Sequence, residues 1–454
     1  MSFLYPKEIF SKFKEGLLDK KTAVNYFVSY INHKDFSEWV RDDCLKYLGE
    51  MKLQGETLFT FLENLTVSDK DPQIRARAAA ALILNFPDKA YKAIKWSLVG
   101  GGRIKLYYTN LKYILKALYA VSTLKLTFLL DLIDHIRYKG KIYLVREGYL
   151  DLHNLKISNI EEIERLDKVP NLWKLDLSYN KLKEIRRLEK CLNVKDLDLS
   201  NNNICEIKGL EALKKLKKLD LSDNKIVKIE GIKNLKNLDI LFLTDNRIEK
   251  ICESNLPLNL LTLILNNNCI TEIGKFESHL NFTGLELSNN QITEVSDLSV
   301  LVDLRHLFLN NNNIANIDAL STLINLEVLY LEGNKISKIG SLRGLTKLRA
   351  LKLKRNRLTE IDLRNLPRNL NSLDLSDNLI SEIRGLDCLE EFSYLSYIGL
   401  DGNLFSQQRL KELKELFIDN SPKERAERRR RSAEVLRREK VYDKEYYDDL
   451  FRFE

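Results

Sequence analysis

Leucine, isoleucine and polar residues alternate along most of the chain in a pattern that repeats. The segment Leu175-Asp-Leu177-Ser-Tyr-Asn180-Lys-Leu182 is followed by near copies at a fixed 22-residue period. Asparagine recurs at Asn180, Asn202, Asn224, Asn246, Asn268, Asn290, Asn312, Asn334, Asn356 and Asn378, and a last copy at Asn403 is displaced by three residues. A degenerate first copy around Leu150 and Leu152 has Leu155 where the asparagine should be. The two leucines of L-x-L alternate with outward residues, as in a short strand with one buried face. The asparagine falls where the chain turns away from the strand. Its amide donates and accepts, so it can satisfy backbone groups that a buried turn would leave unpaired. Later apolar residues such as Leu182, Ile185 and Leu188 line the rest of the coil. One coil cannot bury this surface alone, whereas stacked coils share a continuous core. About twelve strands at ~4.8 Å make an array roughly 55 Å long.

This pattern resembles the leucine-rich repeat family, most closely its intracellular 22-residue class, which includes a regulatory subunit of protein phosphatase 1. The resemblance covers about Leu150 to Phe417. It implies a curved α/β solenoid with a parallel sheet on the concave face and short helical or extended turns outside. It also implies recognition of a protein partner, but the family has no universal functional residues to carry onto this chain. The open ends of such an array need caps. Lys141-Ile-Tyr-Leu-Val145 with Arg-Glu-Gly148 is a strand and turn suited to the first coil. Ser406 to Phe417 reads as an amphipathic helix with Leu410, Leu413, Leu416 and Phe417 on one side.

Residues 1–139 have helical periodicity instead. A 34-residue repeat aligns Val40-Arg41 with Ile74-Arg75, and Leu58, Leu62 and Leu65 with Lys92, Trp96 and Val99, then with Leu126, Leu130 and Ile133. Stacked helix pairs of this kind form an α-helical solenoid. Asp71-Pro72-Gln73-Ile74-Arg75 and the alanines after it resemble HEAT repeats; the alternative is an irregular helical bundle. Gly100-Gly101-Gly102-Arg103 lacks the preceding strand and the Gly-Lys-Ser/Thr ending of a phosphate loop and reads as a turn. The expected organisation is a HEAT-like helical domain over 1–139, leucine-rich repeats with caps over 140–418, and a tail over 419–454.

Composition narrows the function. A hydrophobic fraction of 44% and a charged fraction of 30% are those of a globular protein, and a net charge of +8 is modest for 454 residues. Charges at Lys7, Glu8, Lys12, Lys14 and Glu15 leave no room for a signal-peptide apolar region. The six cysteines form no CxxC pair, and the cysteine clusters that usually cap secreted relatives are missing. A cytoplasmic location with reduced thiols is expected. The histidines show no HExxH pattern, and there is no GxSxG elbow or Walker-type loop, so no enzyme activity, metal, cofactor or small-molecule substrate is expected. Lys423–Lys440 holds nine basic residues, among them Arg428, Arg429, Arg430 and Arg431, against four glutamates. An acidic, aromatic end with Tyr442, Tyr446, Tyr447, Phe451 and Phe453 follows. This tail reads as a solvated helix with a frayed end, as a nucleic-acid or anionic-membrane contact, or as a docking segment.

The outward strand positions form columns. The column between the leucines is Asp176, Asp198, Asp220, Phe242, Ile264, Glu286, Phe308, Tyr330, Lys352 and Asp374. The early coils are acidic, with Asp223 and Asp245 adding to the aspartates. The middle is apolar, with Ile240, Phe242, Ile264, His306, Phe308, Val328 and Tyr330. The late coils are basic, with Lys352, Lys354, Arg355 and Arg357. Solvent-facing strand positions have no structural need for adjacent aromatics, so this face is expected to be a partner interface. The competing explanation is that aromatics favour strands and pack on one another. A non-catalytic protein-binding scaffold or adaptor is the expected function. A phosphatase-regulatory subunit and binding through the tail arginines are the alternatives.

Overall fold

The computed structural model describes residues 4–33, 35–99, 108–121, 128–274, 276 and 282–417. The chain divides into two compact units, Met1–Asp151 with Glu162–Leu172, and Leu152–Glu161 with Trp173–Glu454.

The first unit carries seven helices among its described residues: α1 Pro6–Lys14, α2 Lys20–Asn32, α3 Glu38–Glu50, α4 Glu56–Ser68, α5 Pro72–Asn85, α6 Tyr91–Val99 and α7 Tyr108–Ala120. Asp71 caps α5 by accepting the Gln73 amide at 2.7 Å, and Pro72 opens its first turn. α5 is buried almost throughout and packs against α3, α4 and α7. Its small residues Ala76 and Ala78–Ala81 let those neighbours approach closely. Val40 and Ile74, aligned in the 34-residue repeat, are both buried. Arg41 donates to the Asp69 carboxylate at 2.6 Å, and Arg75 donates to the Asp69 carbonyl at 2.7 Å.

The third helix of the 34-residue alignment is not formed as expected. Phe128–Leu132 is a short 3₁₀ turn, and a hairpin follows, His135–Tyr138 with Lys141–Leu144. Leu126 and Gly100–Arg103 lie outside the described residues. The hairpin turn puts Lys139 and Gly140 at positive φ. Ile142 and Leu144 pack on the helical core, so this unit runs past residue 139 to Asp151. Lys141–Leu144 is therefore a hairpin strand of the helical unit.

In the second unit the L-x-L segments form a parallel sheet. Leu175 pairs in register with Leu197, Leu197 with Leu219, and Leu219 with Leu241. The same offset then continues through Leu263, Leu285, Leu307, Leu329, Leu351 and Leu373. The last step, from Leu373 to Ile398, is longer than the others and absorbs the displaced repeat. The strand leucines point inward and are fully buried, as are Leu182, Leu188 and Ile204 on the return path. The return path uses 3₁₀ turns at Ser296–Val300 and Asp318–Thr322 and short extended pairs such as Glu360–Asp362 with Glu382–Arg384. At the end lies α8, Gln407–Phe417, with Leu413 buried. Leu416 is exposed, so α8 buries a narrower side than the sequence suggested.

Candidate protein-binding face

The asparagines staple neighbouring coils. Asn202 Nδ2 donates to Leu177 O of the coil before and to Leu199 O of its own coil, both at 3.0 Å, while its Oδ1 accepts the Leu182 amide at 2.9 Å. The same arrangement recurs at Asn224, Asn246, Asn268, Asn290, Asn312, Asn334, Asn356 and Asn378. Asn180 serves the degenerate first copy by accepting the Ile157 amide, and Asn403 serves the displaced last one by accepting the Ile380 amide. All of these except Asn403 are buried. The residue before each asparagine takes a left-handed conformation. Asn or Asp fills it at 201, 223, 245, 267, 289, 311 and 377, glycine at 333, and Tyr179 and Arg355 are the costly exceptions.

A second asparagine column escaped the sequence reading. Asn237, Asn259, Asn325 and Asn369 donate to Lys214 O, Lys236 O, Val302 O and Thr346 O, each in the coil before. The signal was present at these four positions as an asparagine directly before the leucine that precedes the strand. At residue 303 the column carries aspartate, which lines a shallow groove of about 220 Å³ with Leu261, Thr283, Arg305 and Asn325.

With the leucines inside and the turns satisfied, the remaining strand side chains face away from the repeat core. Their exposure differs from expectation in the middle of the sheet. Ile240, Phe242 and Ile264 are only 5%, 8% and 4% exposed and form a cluster of their own. In-register parallel strands stand ~4.8 Å apart, so neighbours in one column touch and cover each other. The Lys218 ammonium also stands 5.2 Å from the Phe242 ring centre. Glu286, next in the column, is buried and accepts from Asn266 Nδ2 at 2.6 Å.

His306, Phe308, Val328 and Tyr330 are half-buried and reach solvent. Phe308 meets Tyr330 edge to face, with ring centres 5.0 Å apart and planes at 86°. The Lys352 ammonium stands 4.1 Å from the Tyr330 ring centre. Lys354 lies 3.6 Å from Asp377, which Arg355 also approaches at 3.8 Å. Burial pushes the His306 pKa down, which favours the neutral imidazole. Arg355 and Arg357 lie exposed in the turn beyond the strand, so the basic residue of this strand is Lys352, with Lys354 just past it and Asp374 in register beside it.

At the acidic end, Asp176, Asp198 and Asp220 pair in register on adjacent strands. The Oδ1 of each accepts the amide two residues on, Ser178, Ser200 or Ser222, at 2.9 Å. Burial, reinforced by the Asp198 charge and opposed by the Ser222 hydrogen bond, pushes the Asp220 pKa up to about 6. Burial likewise raises Asp198 and lowers Lys218. Asp223 and Asp245 sit in the left-handed turn column at the rim, not on the strands.

All six cysteines are free thiols, and Cys205 and Cys269 are exposed. Burial pushes the Cys44 thiol up to about 12, which keeps it protonated. Among the described residues, no group of three or more His, Cys, Asp or Glu is placed to hold a metal ion, and no helix is long and apolar enough to cross a membrane. Arg428–Arg431 and the acidic aromatic end lie outside the described residues.

Comparison with known proteins agrees with this architecture. Residues 191–286 match a family model described as leucine-rich repeat, and residues 302–345 and 324–368 match one described as leucine-rich repeats in two copies. The sheet-forming unit is thus a leucine-rich-repeat array, joined in one chain to an N-terminal helical region. The leucine-rich repeat domain of APL1B is 19% identical with a TM-score of 0.50, over 59% of this chain and 85% of that one. An internalin from Listeria monocytogenes is 24% identical with a TM-score of 0.46, over 60% of this chain and 86% of that one. The APL1B likeness is one of fold alone. No curated protein sequence matches the chain.

Proposed function

We propose that the protein is a non-catalytic scaffold or adaptor that binds a partner protein on the concave sheet face. The observation that carries this reading is the Phe308–Tyr330 pair. Two half-buried aromatics sit side by side at positions that point away from the repeat core, flanked by Lys352. Rigid, partly desolvated aromatics are the side chains around which interface energy concentrates. Val328 and His306 extend the anchor. Ile240, Phe242 and Ile264 serve as the floor beside it, being too covered to contribute much area themselves. Leucine-rich repeats commonly mediate protein–protein contact, which supports the class of function. The phosphatase-regulatory alternative would use the same surface and differ only in its partner. A 22-residue intracellular repeat class, a HEAT-like helical domain and a cytoplasmic location complete the proposal.

The test is affinity capture from native lysate with the full chain, repeated with Phe308→Ala, followed by calorimetry on the captured partner. The substitution is expected to weaken binding by roughly 2 kcal/mol or more, against a stability loss of about 0.5–1.5 kcal/mol from the aromatic pair. Wild-type affinity with an intact fold would move the interface elsewhere.

A further inference from the structure

The Asp176, Asp198 and Asp220 ladder carries more charge than its structural duty requires. Each aspartate caps the amide of the serine two residues on. At equivalent amides the same task is done without charge. Asn266 Oδ1 accepts the Ser288 amide at 2.8 Å, and Asn310 Oδ1 accepts the Glu332 amide at 2.9 Å. The cap therefore needs an acceptor, not an anion. Like charges directly opposite on adjacent strands are destabilising. Burial, with the neighbouring aspartate charge adding to it, holds the Asp198 and Asp220 carboxyls above their ordinary range. Lys174 pairs with Asp196 at 3.0 Å beside them, and the Lys218 charge pulls the Asp220 carboxyl down without cancelling the rise. The neighbouring Lys218 ammonium stands by the Phe242 ring.

Past the apolar middle the face is of mixed sign. Next to the Phe308–Tyr330 pair the column carries Lys352 and then Asp374 in register beside it, and Lys354, just past the strand, stands 3.6 Å from Asp377. Acidic ladder and apolar middle thus follow one another across a single parallel sheet, with Lys352 at the far edge of the apolar part.

We propose that this face takes a polypeptide segment of the partner in one polarity. Cationic side chains lie over Asp176, Asp198 and Asp220, an aromatic or aliphatic anchor packs on Phe308 and Tyr330, and a carboxylate reaches Lys352. The proposal rests on the protein-binding reading above and adds the chemistry and direction of the ligand. Four strand steps separate Asp220 from Phe308, about 19 Å at ~4.8 Å per step. That is about 13 residues of a helix crossing the strands, or about six of an extended chain. The surplus charge then has a use: a partner cation would relieve the repulsion that folding alone leaves in place.

A phage-displayed library of random 20-residue peptides, selected on the immobilised full-length chain, tests this directly. The expected consensus has basic residues at one end, an apolar anchor in the middle and acidic residues at the other. Synthetic versions of the selected peptides should bind at least tenfold more weakly to an Asp198→Asn, Asp220→Asn double variant, whose amides can still cap Ser200 and Ser222. Binding should also fall with added salt. Peptides that depend on Phe308 but are indifferent to the double variant would overturn the polarity and leave the protein-binding reading standing. Peptides indifferent to both Phe308→Ala and the double variant would overturn both, as would a selection that yields no binder. Two results would replace the partner segment with another occupant. One is displacement of the selected peptides by a synthetic peptide of residues 440–454. The other is self-association by sedimentation that the Phe308→Ala substitution abolishes.

Discussion

Replacing one rung of the asparagine ladder gives the sharpest stability test. Asn268 is 7% exposed. Its Nδ2 donates to Leu243 O at 2.9 Å and to Leu265 O at 3.0 Å, and its Oδ1 accepts the Ile248 amide at 3.0 Å. Asn268→Ala removes these bonds and leaves the buried Ile248 N–H unsatisfied, whereas Leu243 O keeps the Asn246 amide at 3.2 Å and Leu265 O keeps the Asn290 amide at 3.0 Å. An orphaned buried donor costs about 1–3 kcal/mol, which sets the expected loss. The loss should be local, because coils in a solenoid interact chiefly with their neighbours. Urea denaturation followed by far-ultraviolet circular dichroism would give the magnitude, and hydrogen exchange at the Ile248 amide would give the place. A change below about 0.5 kcal/mol, the low end for even one hydrogen bond, with Ile248 still protected, would mean that the amide is not the staple described above.

Three further substitutions probe the backbone and the charge ladder. Gly231 sits at φ +75°, and an added Cβ would run into the Ile207 carbonyl oxygen, so Gly231→Ala should lose at least about 1 kcal/mol in chemical denaturation. Tyr179 holds the left-handed position that Asn201 fills one coil later; Tyr179→Asn should gain roughly 0.5–1 kcal/mol by the same measurement. Asp220 keeps its proton up to about pH 6 in the folded chain, whereas an unfolded aspartate loses it near pH 4. Stability contributed by the protonated folded form is therefore lost as pH rises from about 4 to about 6. Asp220→Asn should remove that slope and gain roughly 1–2 kcal/mol at neutral pH, read from melts across that range.

The repeat unit was legible because its parts are fixed at the level of single residues. Leu175, Leu177 and Asn180 each do one job, and every copy repeats that job at the same spacing. The displaced copy at Asn403 was legible for the same reason. Less was legible where function depends on neighbours from other coils. The sequence shows that Ile240, Phe242 and Ile264 point away from the repeat core, but their cover comes from side chains one coil away in register. The second asparagine column was readable and missed, because a polar residue beside a strand looks like ordinary surface. In the helical region, Leu130 and Ile133 fit a helical spacing, yet Phe128–Leu132 is a 3₁₀ turn leading into a hairpin. So short an apolar run does not by itself separate helix from turn or strand.

The division of labour within each coil also decides what Phe308→Ala can mean. Leu307 and Leu309, on either side of Phe308, are fully buried and fill the interior. Asn312 supplies the turn, with its Nδ2 at 2.9 Å from Leu287 O. Neither task involves the Phe308 ring, which packs edge to face on Tyr330. A pair of this kind contributes about 0.5–1.5 kcal/mol. Truncation at a central anchor of an interface removes about 2 kcal/mol or more. The two effects are therefore separable by size, and a melting curve is a fair control for the binding measurement. The same cannot be said of Phe242. At 8% exposure it packs in a closed cluster with Ile240 and Ile264, so its truncation would open a void of its own and confound stability with recognition. A loss of affinity at Phe308 without a comparable loss of stability is the signature that assigns this column to binding and not to the packing of aromatics for its own sake.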